Sequence, residues 1–152
     1  MPEFYDTHAH LDFPDFREEV DAVVQRAADA GISRIVTIGT ELESSRRAID
    51  LAKRFDGVFA AVGWHPNDCL SAPDDVRGEL ESLAKAPKVV AIGEIGIDHY
   101  RLPSTRGWSA DDDEAFKARQ GLLYQQPDYY THLRAHETKA NLVCRPPPNT
   151  QN

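Results

Sequence analysis

Three short stretches of the chain place metal-ligating or proton-transferring side chains at or just beyond the end of an apolar run. In Asp6-Thr7-His8-Ala9-His10, two histidines stand two positions apart at the end of the run that begins at Phe4. Alternate residues of a strand share one face, so both imidazoles project to the same side and can converge on one cation. They can also be two partly exposed loop histidines. In sheets built of strand-helix units, ligands gather at the carboxyl ends of the strands, where these two residues fall.

The other two stretches are Gly63-Trp64-His65-Pro66 and Gly93-Glu94-Ile95-Gly96-Ile97-Asp98. A carboxylate directly after Val89-Val90-Ala91-Ile92-Gly93 is costly to bury unless it meets a cation or a donor, so Glu94 reads as a ligand or as the cap of a loop amide. His65 is open to three roles: ligand, general acid-base group, or loop residue. Imidazole with carboxylate is a borderline-to-hard donor set that suits zinc, manganese or, with more water, magnesium. Linear spacing does not bring Glu94 to His10; equivalence of strand ends does.

Other constellations carry less. Gly93 and Gly96 lack the third glycine and the helix start of a dinucleotide fingerprint, and no serine nucleophile elbow is present. His132 and His136 have helical spacing without the glutamate that completes a metalloprotease motif. Asp111-Asp112-Asp113-Glu114 reads as a solvated helix start.

The elements that must position these residues follow from apolar periodicity. Four runs, at Phe4 to His10, Arg34 to Gly39, Val58 to Gly63 and Val89 to Glu94, alternate with three stretches of helical period. That order predicts an α/β fold with a parallel sheet. The first helix shows Phe16, Val20, Val23, Val24 and Ala27 on one face, an Asp15/Glu18 capping box and Gly31 at its stop. The second reads from Thr40 with Glu43, along Leu42, Ile49, Ala52 and Phe55, to Gly57. The third uses Val76, Leu80, Leu83 and Ala84, with Pro87 closing it. Past Arg101, a loop at Pro103, Ser104, Gly107 and Ser109 precedes a helix from Asp111 to Gln120; from Gly121 no strand alternation or helical stripe is seen.

Composition bounds the classes. The chain has 152 residues, a net charge of −8 and 41% hydrophobic residues, which fits one globular unit and neither a disordered nor a membrane protein. No run approaches the ~20 apolar residues of a membrane span, and no secretion signal is visible. Cys69 and Cys144 cannot make a disulfide framework, so a reducing, cytoplasmic setting is expected. The acidic balance excludes nucleic-acid binding by counterion release alone; work on phosphates would need a metal ion.

At these residues the sequence resembles the TatD-related family of metal-dependent hydrolases, which includes deoxyribonucleases. The matching stretches are Phe4-Tyr-Asp-Thr-His-Ala-His-Leu-Asp12, Val62-Gly-Trp-His-Pro66 and Val90-Ala-Ile-Gly-Glu-Ile-Gly-Ile-Asp98, followed by Tyr100 and Arg101. The likeness runs from about residue 4 to Gln120. It implies a TIM barrel with up to two divalent ions (Mg, Mn or Zn) and phosphodiester hydrolysis with DNA as substrate. It also implies His8 and His10 as ligands of one ion, Glu94 as a ligand shared with a second, His65 near the scissile phosphate, and Asp98 and Arg101 as substrate-binding residues.

A full (β/α)₈ barrel takes ~250 residues. The resemblance therefore implies a barrel cut to about its first four βα units, with residues 1–120 as that part and 121–152 as a divergent, poorly ordered tail. The family's further ligands, two histidines and an aspartate, come from later strands. The change after Gln120 resembles a frameshifted, spliced or truncated product. Two other functions stay open: a related cyclic amidohydrolase, and a non-catalytic, partner-binding fragment. Four open strands also lead us to expect self-association through exposed sheet edges.

Overall fold

A computed structural model of the protein describes residues 3–125. Each apolar run forms a strand: β1 (Phe4–Ala9), β2 (Ile32–Ile38), β3 (Val58–Val62) and β4 (Val89–Ile92). They lie in the order β1-β2-β3-β4 and every pair is parallel. Parallel neighbours need a crossover, supplied by α1 (Val20–Asp29), α2 (Leu42–Arg54) and α3 (Arg77–Ala84); α4 (Ala110–Gln125) follows β4. This is the α/β arrangement expected from the alternation of apolar runs and helical periods, with four βα units.

Burial grades from the middle of the sheet to its edges. Val58, Ala60 and Val62 of β3 are fully buried and join Ile35 of β2, Ala48, Ile49 and Ala52 of α2, and Val20 of α1 in the main core. The two outer strands leave large side chains in water, with Phe4 54%, Tyr5 62% and Val90 54% exposed. A second cluster packs α4 onto the segment between β3 and α3: Phe116 and Leu123 meet Trp64, Cys69, Val76 and Leu80. Arg119 reinforces it by donating to the carbonyls of Cys69, Ala72 and Pro73 at 3.3, 2.7 and 2.9 Å.

The helix ends correct four expectations. The Asp15/Glu18 capping box does not form: Pro14 starts a 3₁₀ turn, Pro14–Phe16, which takes up Asp15, and α1 begins only at Val20. The expected Thr40/Glu43 box is displaced by one residue. Glu41 accepts from the amides of Glu43 and Ser44, and Ser44 Oγ accepts from the Glu41 amide at 2.9 Å. The acidic start of α4 is engaged with protein groups, since Asp113 is buried and accepts from the Ser104 amide and hydroxyl at 2.8 and 2.6 Å. Finally, α4 continues past Gly121 to Gln125 with Leu123 buried, so the helical pattern outlasts Gln120. At the other end of α1, Gly31 adopts φ 91°, the left-handed stop its position predicted. The expected tail beyond Gln125, with His132 and His136, lies outside the described residues.

Candidate functional site

Flat sheets separate strands by about 4.8 Å, which would place β1 and β4 ~14 Å apart across two intervening strands. Yet His8 Nε2 at the end of β1 lies 3.0 Å from Glu94 Oε1 beyond β4. The sheet therefore curls, as a sector of a barrel does, and its carboxyl-terminal rim draws together residues far apart in sequence. One ligand atom from each of His8, His10 and Glu94 lies within 4.8 Å of the other two. The strand-end equivalence that suggested this meeting is realised in space.

Each side chain of the rim is held by an identifiable partner. His10 Nδ1 sits 3.1 Å from the Ile38 carbonyl; only a protonated Nδ1 makes that contact, which leaves the Nε2 lone pair free for a ligand. His65 has the reverse arrangement. Its Nδ1 accepts from the Asn67 amide at 3.0 Å, so a neutral ring carries its proton on Nε2, 3.7 Å from Glu94 Oε2. The two oxygens of Glu94 thus face different imidazoles, His8 and His65. The carboxylate is half-buried, with 28% of its side chain exposed, rather than enclosed. Two imidazoles and a carboxylate at this separation are a donor set that could hold a divalent ion.

The approach of β3 to β4 depends on Gly63. A Cβ there would lie 2.5 Å from the Gly93 carbonyl carbon and 2.7 Å from the Glu94 backbone oxygen, so any side chain would force the backbone at Gly93 and Glu94 to shift. Ser45 of α2 reaches the same place and accepts from the Gly63 amide at 3.2 Å. On the β1 side, the Leu11 amide donates to Thr37 Oγ1 at 3.1 Å, and the Asp12 carboxylate, fully buried, accepts from Arg47 at 3.1 Å.

The remaining sequence-derived residues separate in space. Arg101 lines an open cleft of about 400 Å³ together with His10, Phe13, His65, Glu94 and Arg106. Asp98 turns to the loop instead: it accepts from the Tyr100 amide at 2.8 Å and from Asn67 Nδ2 at 3.0 Å. These bonds, led by that from Tyr100, hold its carboxyl below the usual carboxylate range. Asp98 thereby ties the loop that carries Arg101 to the loop that carries His65.

Gln120 was missed by sequence reasoning. It is fully buried; Nε2 donates to the Pro66 and Asp98 carbonyls at 3.1 and 2.9 Å, while Oε1 accepts from the Asp98 amide at 3.0 Å. One amide fastens both loops beside the cleft to α4. A glutamine following four helical residues reads as surface, and the one available signal was its place on the Phe116 side of α4, four residues on.

Comparison with known proteins adds family context to this geometry. The family described as TatD related DNase matches residues 5–120. The metal-dependent hydrolase YjjV of Escherichia coli is 40% identical over 126 residues, 81% of this chain and 44% of YjjV. The 3'-5' ssDNA/RNA exonuclease TatD of Enterobacter lignolyticus is 40% identical over 135 residues, 88% of this chain and 51% of that protein. The crystal structure of the YjjV protein superposes with a TM-score of 0.69 at 34% identity, covering 85% of this chain and 47% of that one. A TatD-family hydrolase of Entamoeba histolytica superposes at 0.63 with 26% identity, covering 84% and 47%. The chain thus spans about half the length of the relatives it matches, and its four strands correspond to a partial TIM barrel.

Proposed function

The chain belongs to the TatD-related DNase family, and from that premise we propose that its cleft serves phosphodiester hydrolysis in DNA through a divalent-metal centre. The observation that carries the reading is the convergence of His8, His10 and Glu94 on one point, with His65 on the free oxygen of the same carboxylate. Mg, Mn or Zn, when bound, would polarise the phosphate and lower the pKa of an attacking water. In this proposal His8, His10 and Glu94 hold the first ion. Glu94, facing two directions, is the group able to share a second.

The other roles follow from the hydrogen bonds. His65 presents its Nε2 proton toward the cleft because Asn67 occupies Nδ1, which suits it to donate to a phosphate or leaving oxygen. Arg101 supplies positive charge to the phosphate, and Asp98 sets the loop that aims it. A cytoplasmic setting is part of the proposal; Cys69 is a free, buried thiol, and no helix among the described residues is long and apolar enough to cross a membrane.

The test is hydrolysis of end-labelled single-stranded DNA with Mn²⁺ or Mg²⁺ by the wild type, by Glu94→Ala and by a full-length relative. Expected is metal-dependent cleavage that is lost in Glu94→Ala and slower than that of the relative by more than about ten-fold, ~1.4 kcal/mol in barrier. Metal binding with no cleavage would instead make this half-barrel a non-catalytic fragment. Wild-type cleavage unaffected by Glu94→Ala would reject the site. The exposed side chains of β1 and β4 also support self-association, read by light scattering as species larger than a monomer. A monodisperse monomer would remove that part.

A further inference from the structure

The sheet is unfinished at both margins. Among the described residues β1 pairs with β2 alone and β4 with β3 alone, so each outer strand turns a row of backbone donors and acceptors outward. Phe4, Tyr5 and Val90 on these strands are more than half exposed. Edges that face water are usually blunted by charge or proline, and β4, Val-Val-Ala-Ile, has neither.

The curl of the sheet selects what can cover these margins. His8 and Glu94 meet at 3.0 Å although β2 and β3 stand between their strands, a curvature that belongs to a small barrel. Barrels whose interiors are just filled by side chains close at about eight strands, so four more parallel strands are needed. Successive strands begin at residues 4, 32, 58 and 89, which gives 26 to 31 residues for each strand-helix unit. The 152 − 125 = 27 residues that follow α4 in this sequence amount to one such unit. A second copy brings four strands at once, with the same curl. A half-turn about the barrel axis keeps every strand parallel and sets its β1 beside β4 and its β4 beside β1.

We propose that two copies of this chain close into one barrel of two-fold symmetry, with a seam between β4 of each copy and β1 of the other. The proposal rests on the reading of the carboxyl-terminal rim as a metal site and deepens it by giving that site a partner. His8 and His10 lie at the end of one seam strand and Glu94 follows the other, so the ligand sets of both copies come to a single mouth. Each cleft is then walled on its open side by the second copy.

Sedimentation velocity of the intact chain, with Mn²⁺ binding followed by calorimetry, tests the closure. Expected is one species of twice the monomer mass, because a β4-to-β1 pairing that failed to close would continue into a ladder of larger assemblies. Tyr5→Lys and Val90→Glu each set a charge on a side chain that is exposed within one copy, so each should give monomers with unchanged circular dichroism. Mixed in equal amounts, they should dimerise again, since one seam is then wild type and the other pairs lysine with glutamate. A wild-type monomer or an open-ended ladder overturns the barrel; if that protein still binds Mn²⁺, the metal reading survives. A dimer untouched by both variants, or variants that stay monomeric when mixed, likewise overturns the seam. A dimer restored by mixing that binds no Mn²⁺ keeps the barrel and removes the metal reading. Should one variant fail to fold, the wild-type mass and the other variant still decide.

Discussion

On the β3–β4 side of the cleft, polar bonds from several residues fasten both loops; on the β1 side His8 stands on an edge strand and His10 just past it, held by the Ile38 carbonyl. Gln120 makes three bonds to Pro66 and Asp98, Asn67 joins Asp98, and Ser45 supports Gly63. Opposite them, His8 is 56% exposed on its side chain, with Glu94 as its ion-pair partner among the described residues, and the pairing of β1 with β2 shifts register between Asp6 and Ala9. The contrast teaches that one half of the site is pre-organised by the protein. The other half is the part an ion would organise.

The largest effect should come from the residue that joins the two sides. Glu94→Ala removes the carboxylate facing both His8 and His65, and calorimetric titration with Mn²⁺ or Zn²⁺ should show affinity lowered by ~100-fold or more. His10→Ala should cost about ten-fold, since His8 and Glu94 remain. Equal losses would mean that the β1 side is as firmly built as its opposite.

A smaller effect separates the two sides by stability. Gln120→Leu leaves one buried and two part-buried backbone groups without their partner and should cost about 2 kcal/mol in urea unfolding. Thr37→Val, which strips the Leu11 amide of its acceptor on the β1 side, should cost about 1 kcal/mol. A larger loss in Thr37→Val would invert the comparison.

The smallest effect is acid dependence. Hydrogen bonds hold the carboxyls of Asp98 and Asp113 below the usual carboxylate range, with the Tyr100 amide leading at Asp98 and the Ser104 side chain at Asp113. A folded pKa below the unfolded value stabilises above the unfolded pKa, and that stability is lost as pH falls through the folded pKa. Urea melts from about pH 5 downward should therefore weaken in the wild type, and Asp98→Asn should show a shallower decline. An unchanged slope would mean that the Asp98 bonds contribute nothing to folding.

What was legible in the sequence followed from repeated, cheap signals. Four apolar runs and three helical periods are enough to write a parallel α/β sheet, and the histidines of β1 declare their shared face by being two apart. Glu94 was legible as a candidate through its place after a strand, although the curvature that carries it to His8 is a property of the whole sheet. Gln120 and Phe13 were not legible. A neutral amide becomes informative only when tertiary packing buries it against particular carbonyls, and an aromatic after a strand reads as ordinary apolar surface until a turn lays it on His10. Asp113 was misread for a related reason: its partner, Ser104, belongs to a loop whose shape the sequence does not declare.

The bonds of Gln120 also say something about when the cleft takes shape. They close separations of 54 residues to Pro66 and 22 to Asp98, and they come from the last described helix. As the chain leaves the ribosome, the strands of the rim emerge first and can pair in order, each with its predecessor. Asn67 and Asp98 can join the loops that aim His65 and Arg101 to each other, but Gln120 fastens both to the fold only once α4 has been made. The site is thus completed by its carboxyl-terminal side, and a pause in synthesis before residue 120 would leave the loops of the cleft without the helix that fastens them.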